Sequence, residues 1–212
     1  MSFFVPTEHA KEVKELSQQF GPPLIMREVR IGSIAFWSNQ TGHNRLREVC
    51  MTIRRPNRQF LTMRKMFYPK EVYRLLTGGV ESNERVLDAL FREAYEETGS
   101  QVVIRRLLAV LTYRAEEEGK REPGPIQFST FAFLLDAVND TLRPIDLEEQ
   151  IDSYKEISQD TLLSIADQLD GLPNEYSAEL HTTWREWGQF RAMIHRAVWD
   201  ALEGIHESHA TQ

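Results

Sequence analysis

Apolar positions recur along the chain with two different periods. Between Glu8 and Phe20, Ala10, Val13, Leu16 and Phe20 fall on one face at helical spacing, and Gly21-Pro22-Pro23 stops the run. "LIMREVRIGSIAFW" (Leu24 to Trp37) alternates in part and predicts a strand, with "SNQTGHN" as a polar loop behind it. "REVCMTIRR" and "QFLTMRK" predict two more strands about the turn signal Pro56-Asn57. "EVYRLL" predicts a short strand leading into a turn at Gly78-Gly79, and a helix is expected from about Asn83 to Thr98, with Gly99 as its stop. Strands return in "QVVIRRLLAVLTYR" and "IQFSTFAFLLDAV" on either side of the polar loop "AEEEGKREPGP", and "IDSYKEIS" is a further short strand. "QDTLLSIADQLDGLP" reads as a helix closed by Gly171 and Pro173. In the last segment Trp184, Trp187, Phe190, Ile194, Val198 and Leu202 recur at spacings of three and four, which makes an amphipathic helix. Strands around one central helix, with more helices at the ends, predict an α/β sandwich whose mixed sheet is covered on both faces.

Composition narrows the setting. A chain of 212 residues suits one domain with extensions, and its four tryptophans and eleven phenylalanines allow a sizeable core. The net charge of -7 argues against nucleic acid or an anionic membrane as a partner. A single cysteine, Cys50, forms no disulfide within the chain, and the N-terminus "MSFFVPTEHAKE" is no signal peptide, so a cytoplasmic location is expected. No apolar run is long enough for a transmembrane helix. The Trp184–Leu202 stripe and the Leu24–Trp37 segment are more apolar than a small monomer exposes, which leads to the expectation of a homodimer.

The chemistry concentrates in "TGGVESNERVLDALFREAYEETGS" (Thr77 to Ser100), which collects five glutamates and two arginines. Asp88, Arg92 and Glu96 form an ordinary i,i+4 ladder. Glu93 and Glu97 do not: they are four apart, repel each other, and have no basic residue one turn away. At about 100° per residue, Glu93, Glu96 and Glu97 share one arc beside the apolar stripe of Leu87, Leu90, Phe91 and Ala94. Such a patch is either a solvated acidic face or a site for a divalent cation, whose preferred ligands are carboxylate oxygens.

Gly78, five residues, Glu84, seven residues, then Arg92-Glu93-x-x-Glu96-Glu97-x-Gly99 resembles the signature of the Nudix hydrolases. The resemblance implies a Nudix-like α/β/α sandwich with a mixed sheet over residues 46–170, an N-terminal extension (1–45) carrying a helix and strand, and a C-terminal helical extension (171–212). It implies an enzyme that uses Mg²⁺ or Mn²⁺ and water to cleave the pyrophosphate bond of a nucleoside diphosphate linked to another group. By position, Glu93, Glu96 and Glu97 would be metal ligands and Arg92 would orient them. Glu84 would steady the loop–helix junction, Gly78 would permit a tight turn, and Gly99 would end the helix. The general base is left open among Glu93, Glu97 and the loop residues Glu148 and Glu149. Of the cations before the glycines, Arg64 is the choice for a substrate phosphate. The run Glu116-Glu117-Glu118 reads as a solvated loop. The N-terminal extension is similar to those of ADP-sugar pyrophosphatases, which points to an ADP-sugar type substrate. A house-cleaning triphosphate pyrophosphatase and a nucleotide-sensing module without turnover are the alternatives.

Overall fold

The computed structural model describes residues 7–41, 46–115 and 126–210. In chain order the elements are α1 (Thr7–Phe20), β1 (Ile25–Arg30), α2 (Ile34–Thr41), β2 (Arg47–Arg54), β3 (Phe60–Lys65), β4 (Arg74–Val80), α3 (Val86–Thr98), β5 (Val102–Arg114), β6 (Ile126–Ala137), β7 (Ile151–Ile157), α4 (Thr161–Asp170) and α5 (Trp184–Ala210). The run Glu116-Glu117-Glu118 lies outside the described residues, as do the side chains of α5 beyond Ile205.

Seven strands form one sheet in the order β1-β5-β6-β2-β4-β3-β7. It is mixed: β1 runs parallel to β5 and β2 parallel to β6, and the other neighbours are antiparallel. The central strand β2 is buried along its whole middle, as a strand covered on both faces must be. On one face Val49, Met51, Ile53, Leu76, Phe131 and Phe133 pack against Val86, Ala89, Leu90 and Ala94 of α3 and Val13 and Leu16 of α1. On the other, Cys50, Leu75, Leu108 and Leu134 meet α2, α4 and α5. The result is the expected three-layer α/β/α sandwich.

The terminal segments are built into that sandwich. β1 extends the sheet at its β5 edge. Trp187, Phe190, Ile194, Val198 and Leu202 of α5 are all buried within the chain, and so is Trp37. The α5 stripe is therefore covered by the chain itself, whereas Leu24 and Ile34 of the other stretch stay exposed.

Two local expectations are corrected. The segment Ile34–Trp37 is helix rather than strand: Gly32, at φ +74°, ends the extended backbone, and the Ser33 hydroxyl caps the new helix by accepting from the Phe36 N–H at 3.1 Å. The first part of the expected polar loop, Ser38 to Thr41, belongs to the same helix. Gly78 and Gly79 form no turn. They lie inside β4, paired in register with Val49 and Glu48 of β2. The helix stop was read correctly: Gly99 is left-handed at φ +66° and donates to the Tyr95 carbonyl at 2.7 Å.

Candidate active site

α3 starts at Val86, where Arg85 provides no side-chain cap. Glu12 of α1 supplies one, its Oε1 accepting from the Val86 N–H at 2.8 Å while its Oε2 binds Arg47 at 2.6 Å. The N-terminal end of the helix is thereby held to α1 and β2, and its inner face carries Glu93 and Glu97 into the interior. Glu93 is 5% exposed and Glu97 0%.

Arg92 organises the acidic group. Its Nε and Nη2 each donate to Glu84 at 2.8 Å, Nη2 also reaches the Gly79 carbonyl at 2.9 Å, and Nη1 binds Glu93 at 2.8 Å and Glu96 at 2.9 Å. Glu84 in turn accepts from the Glu81 N–H, which closes the loop before the helix. Gly78 explains itself here. A Cβ at that position would fall on the carboxyl group of Glu93, so the missing side chain is a berth for a carboxylate and not a turn.

Glu97 is different. Both of its oxygens are buried and neither has a hydrogen-bond partner. Burial pushes its pKa up to about 8; Arg74 and Lys65 pull it down, and the like charges of Glu93 and Glu149 push it up. Burial also raises the pKa of Glu93 against the pull of Arg92.

Across from α3, a one-turn 3₁₀ segment (Leu147–Glu149) brings Glu149 to the same place, where Lys65 holds it at 2.8 Å. Glu148 is exposed and does not line the cavity. Arg64 is not brought to the site. It pairs with Asp152 on β7 and does not line the cavity beside Glu93. A register shift at Arg64/Lys65 re-aims the strand, and Lys65 reaches the cavity instead. Arg74, 3% exposed, lies beside it; its Nε donates to the Tyr68 hydroxyl at 2.7 Å and its Nη1 to Thr77 at 2.9 Å. Lys65 and Arg74 were missed in the sequence. A lone arginine inside the apolar run of β4 was the signal for the second, and for the first there was none.

These residues surround a cavity of about 220 Å³ that also takes in Gly78, Glu93 and Glu149. Among the described residues no three acidic, histidine or cysteine side chains converge as a metal would require, and Arg92 holds Glu93 and Glu96. The donor set still fits a hard cation. Two buried carboxylate oxygens without partners are unstable unless protonated or matched by positive charge, and oxygen donors are what Mg²⁺ takes.

A family model, the NUDIX domain, matches residues 44–177. The chain belongs to the Nudix family, and it is an enzyme of the pyrophosphohydrolase type. No curated protein matches it in sequence. Among solved structures it is similar to a C. elegans Ap4A hydrolase (21% identity, 70% of this chain and 98% of that one, TM-score 0.42). It is also similar to an ADP-ribose pyrophosphatase from Streptococcus suis (17%, 73% and 90%, TM-score 0.43) and to a MutT protein from Methanosarcina mazei (19%, 56% and 80%, TM-score 0.41). At these scores the three carry no argument about substrate. Nudix hydrolases act on small nucleotides and generally depend on a divalent metal. No described helix is long and apolar enough to cross a membrane.

Proposed function

We propose that this enzyme uses Mg²⁺ or Mn²⁺ to hydrolyse the diphosphate bond of a nucleoside diphosphate linked to another group. The observation that carries the reading is Glu97: a fully buried carboxylate with two unpartnered oxygens, within electrostatic reach of Glu93, Glu149, Lys65 and Arg74, which line the cavity beside it.

Glu93, Glu96 and Glu97 would hold the ion. When bound, it neutralises the diphosphate and makes a water molecule more acidic. The chain does the rest. Arg92 fixes Glu93 and Glu96, and the Gly78 berth sets how deep Glu93 sits. Lys65 and Arg74 offset the negative charge of the phosphates. Glu149 takes the proton of the water that attacks phosphorus as the bond to the bridging oxygen breaks, and Lys65 holds that carboxylate in position. In this reading Lys65 takes the phosphate-facing role expected of Arg64.

The test is turnover of an ADP-sugar, a dinucleoside polyphosphate and a nucleoside triphosphate, each with Mg²⁺ and with EDTA. The expected outcome is hydrolysis that EDTA abolishes and added Mg²⁺ restores. Full turnover in chelator sinks the reading.

A further inference from the structure

The cavity has a second wall, made by parts of the chain outside residues 44–177. Trp37 of α2 and Phe190 and Arg191 of α5 line it, next to Glu48 of β2. The cavity lining carries both signs: Glu93 and Glu149, with Glu97 buried behind them, make the acidic end, and Arg47, Lys65, Arg74 and Arg191 outnumber Glu48 along the rest. Gly78 and Gly79 of β4 line the same cavity.

Arg191 is held like a fixture. Its Nη1 donates to both oxygens of Glu48, at 2.9 and 2.8 Å, and its Cζ stacks 4.5 Å from the centroid of the Phe190 ring. Glu48, 4% exposed, is itself fixed by the Thr130 hydroxyl at 2.7 Å. All the hydrogen bonds of the guanidinium run through Nη1, and Nε is buried with no acceptor. Of the other described cations of the cavity, Arg74 is held by Tyr68, Leu75 and Thr77 and Arg47 by Glu12 and the Glu84 carbonyl, while Lys65 is committed to Glu149, the carboxylate it positions. A rigid, planar guanidinium with donors to spare is suited to a phosphate, which it meets with paired hydrogen bonds.

We propose that Arg191 is a specificity-determining residue: it binds a phosphate of the substrate beyond the diphosphate at the acidic end, so the group on the far side of the scissile bond is itself phosphorylated. This rests on the reading of the acidic end given above. A cavity of about 220 Å³ is small for a whole nucleotide and suits a short phosphate chain with the nucleoside outside.

The experiment compares inorganic pyrophosphate with inorganic tripolyphosphate, titrated into the full chain by calorimetry in Mg²⁺. The wild type should bind tripolyphosphate roughly tenfold or more tighter, as one charge-assisted contact allows. Arg191→Gln should reduce that preference to near parity while leaving pyrophosphate binding unchanged. Arg191→Gln strands the Glu48 carboxylate, so Glu48→Gln/Arg191→Gln, which neutralises both partners, is measured beside it and should show the same loss. Glu48→Gln alone keeps the guanidinium and should keep most of the preference. If both Arg191 variants retain the wild-type preference, Arg191 is only a structural partner of Glu48 and the inference is wrong. If the wild type binds neither probe in Mg²⁺, the acidic-end reading fails first and this one with it.

Discussion

Replacing Glu97 by glutamine isolates a buried carboxylate that no hydrogen bond satisfies and that Arg74 and Lys65 offset only in part. The open-chain carboxyl titrates near 4.5 and the folded one at about 8. A folded pKa above the unfolded one means stability that is fully present below pH 4.5 and lost as the pH rises through 8. At ~1.4 kcal/mol for each unit of pH, the metal-free wild type forfeits on the order of 3 kcal/mol by neutral pH. Glutamine has the same shape and never ionises. Glu97→Gln should therefore melt with the wild type near pH 5 and above it at pH 7, by roughly 6–12 °C at ~2–4 °C per kcal/mol for a chain of this size, with a wider gap at pH 8. The assay is thermal melting in EDTA at pH 5, 7 and 8, followed by Mg²⁺ titration at pH 8. Mg²⁺ at about a hundred times its dissociation constant should raise wild-type stability by ~2.7 kcal/mol, and the variant should gain far less. Turnover should fall at least a hundredfold. A variant whose melting runs parallel to the wild type at all three pH values refutes the argument, because Glu97 would then carry no desolvated charge.

Three further outcomes are expected. Gly78→Ala should displace the Glu93 carboxylate, lowering kcat about a hundredfold with a loss of only ~1–3 kcal/mol in stability; wild-type turnover would show that the berth is not used. Glu149→Gln should lower kcat with little change in KM, whereas Glu148→Gln, exposed and outside the cavity, should be silent; steady-state kinetics of both variants decides whether Glu149 is the base. His195 is buried with its Nε2 accepting from the Leu75 N–H at 2.9 Å and its Nδ1 donating to the Arg191 carbonyl, and burial lowers its pKa to about 3. The unfolded imidazole takes its proton near 6.5, so stability is lost as the pH falls below that value, at up to ~1.4 kcal/mol per unit; melting of Glu97→Gln with and without His195→Gln between pH 6.5 and 4 should show this slope disappear.

How much of this was legible in the sequence depended on how local the determinant was. The Arg92–Glu97 cluster lies on one helix, so fixed spacing identified its members, and the left-handed Gly99 was visible as a stop. Gly78 was picked out as a turn residue, and the structure gives the missing side chain a different cause. A turn and a close approach both demand glycine, and only the packing of α3 on β4 distinguishes them. α2 is eight residues long, too short for a period of 3.6 to separate from alternation, and the burial of Phe36 and Trp37 side by side obeys neither pattern. The exchange of Arg64 for Lys65 comes from one bulge opposite β7, which leaves no mark in composition or spacing. Arg191 joins the cavity only through the docking of α5 on the sheet, a contact between distant parts of the chain.

The surplus of glutamates then has a structural cause. One arginine, Arg92, satisfies Glu84, Glu93 and Glu96 at once, so three carboxylates share one cation and remain under-neutralised. Glu97 is left outside that arrangement, beyond the reach of Arg92 and closed off from water. Had the fold needed only a stable helix, an alanine or leucine facing the core there would have cost nothing in desolvation. A carboxylate in that position makes the metal-free protein less stable at neutral pH, and only something positive arriving from outside reverses the sign. Arg191 differs in that Glu48 matches its charge and only Nε is left buried without an acceptor. Under the proposal made above, a magnesium–phosphate chain is the ligand that would meet both the Glu97 carboxylate and the Arg191 guanidinium.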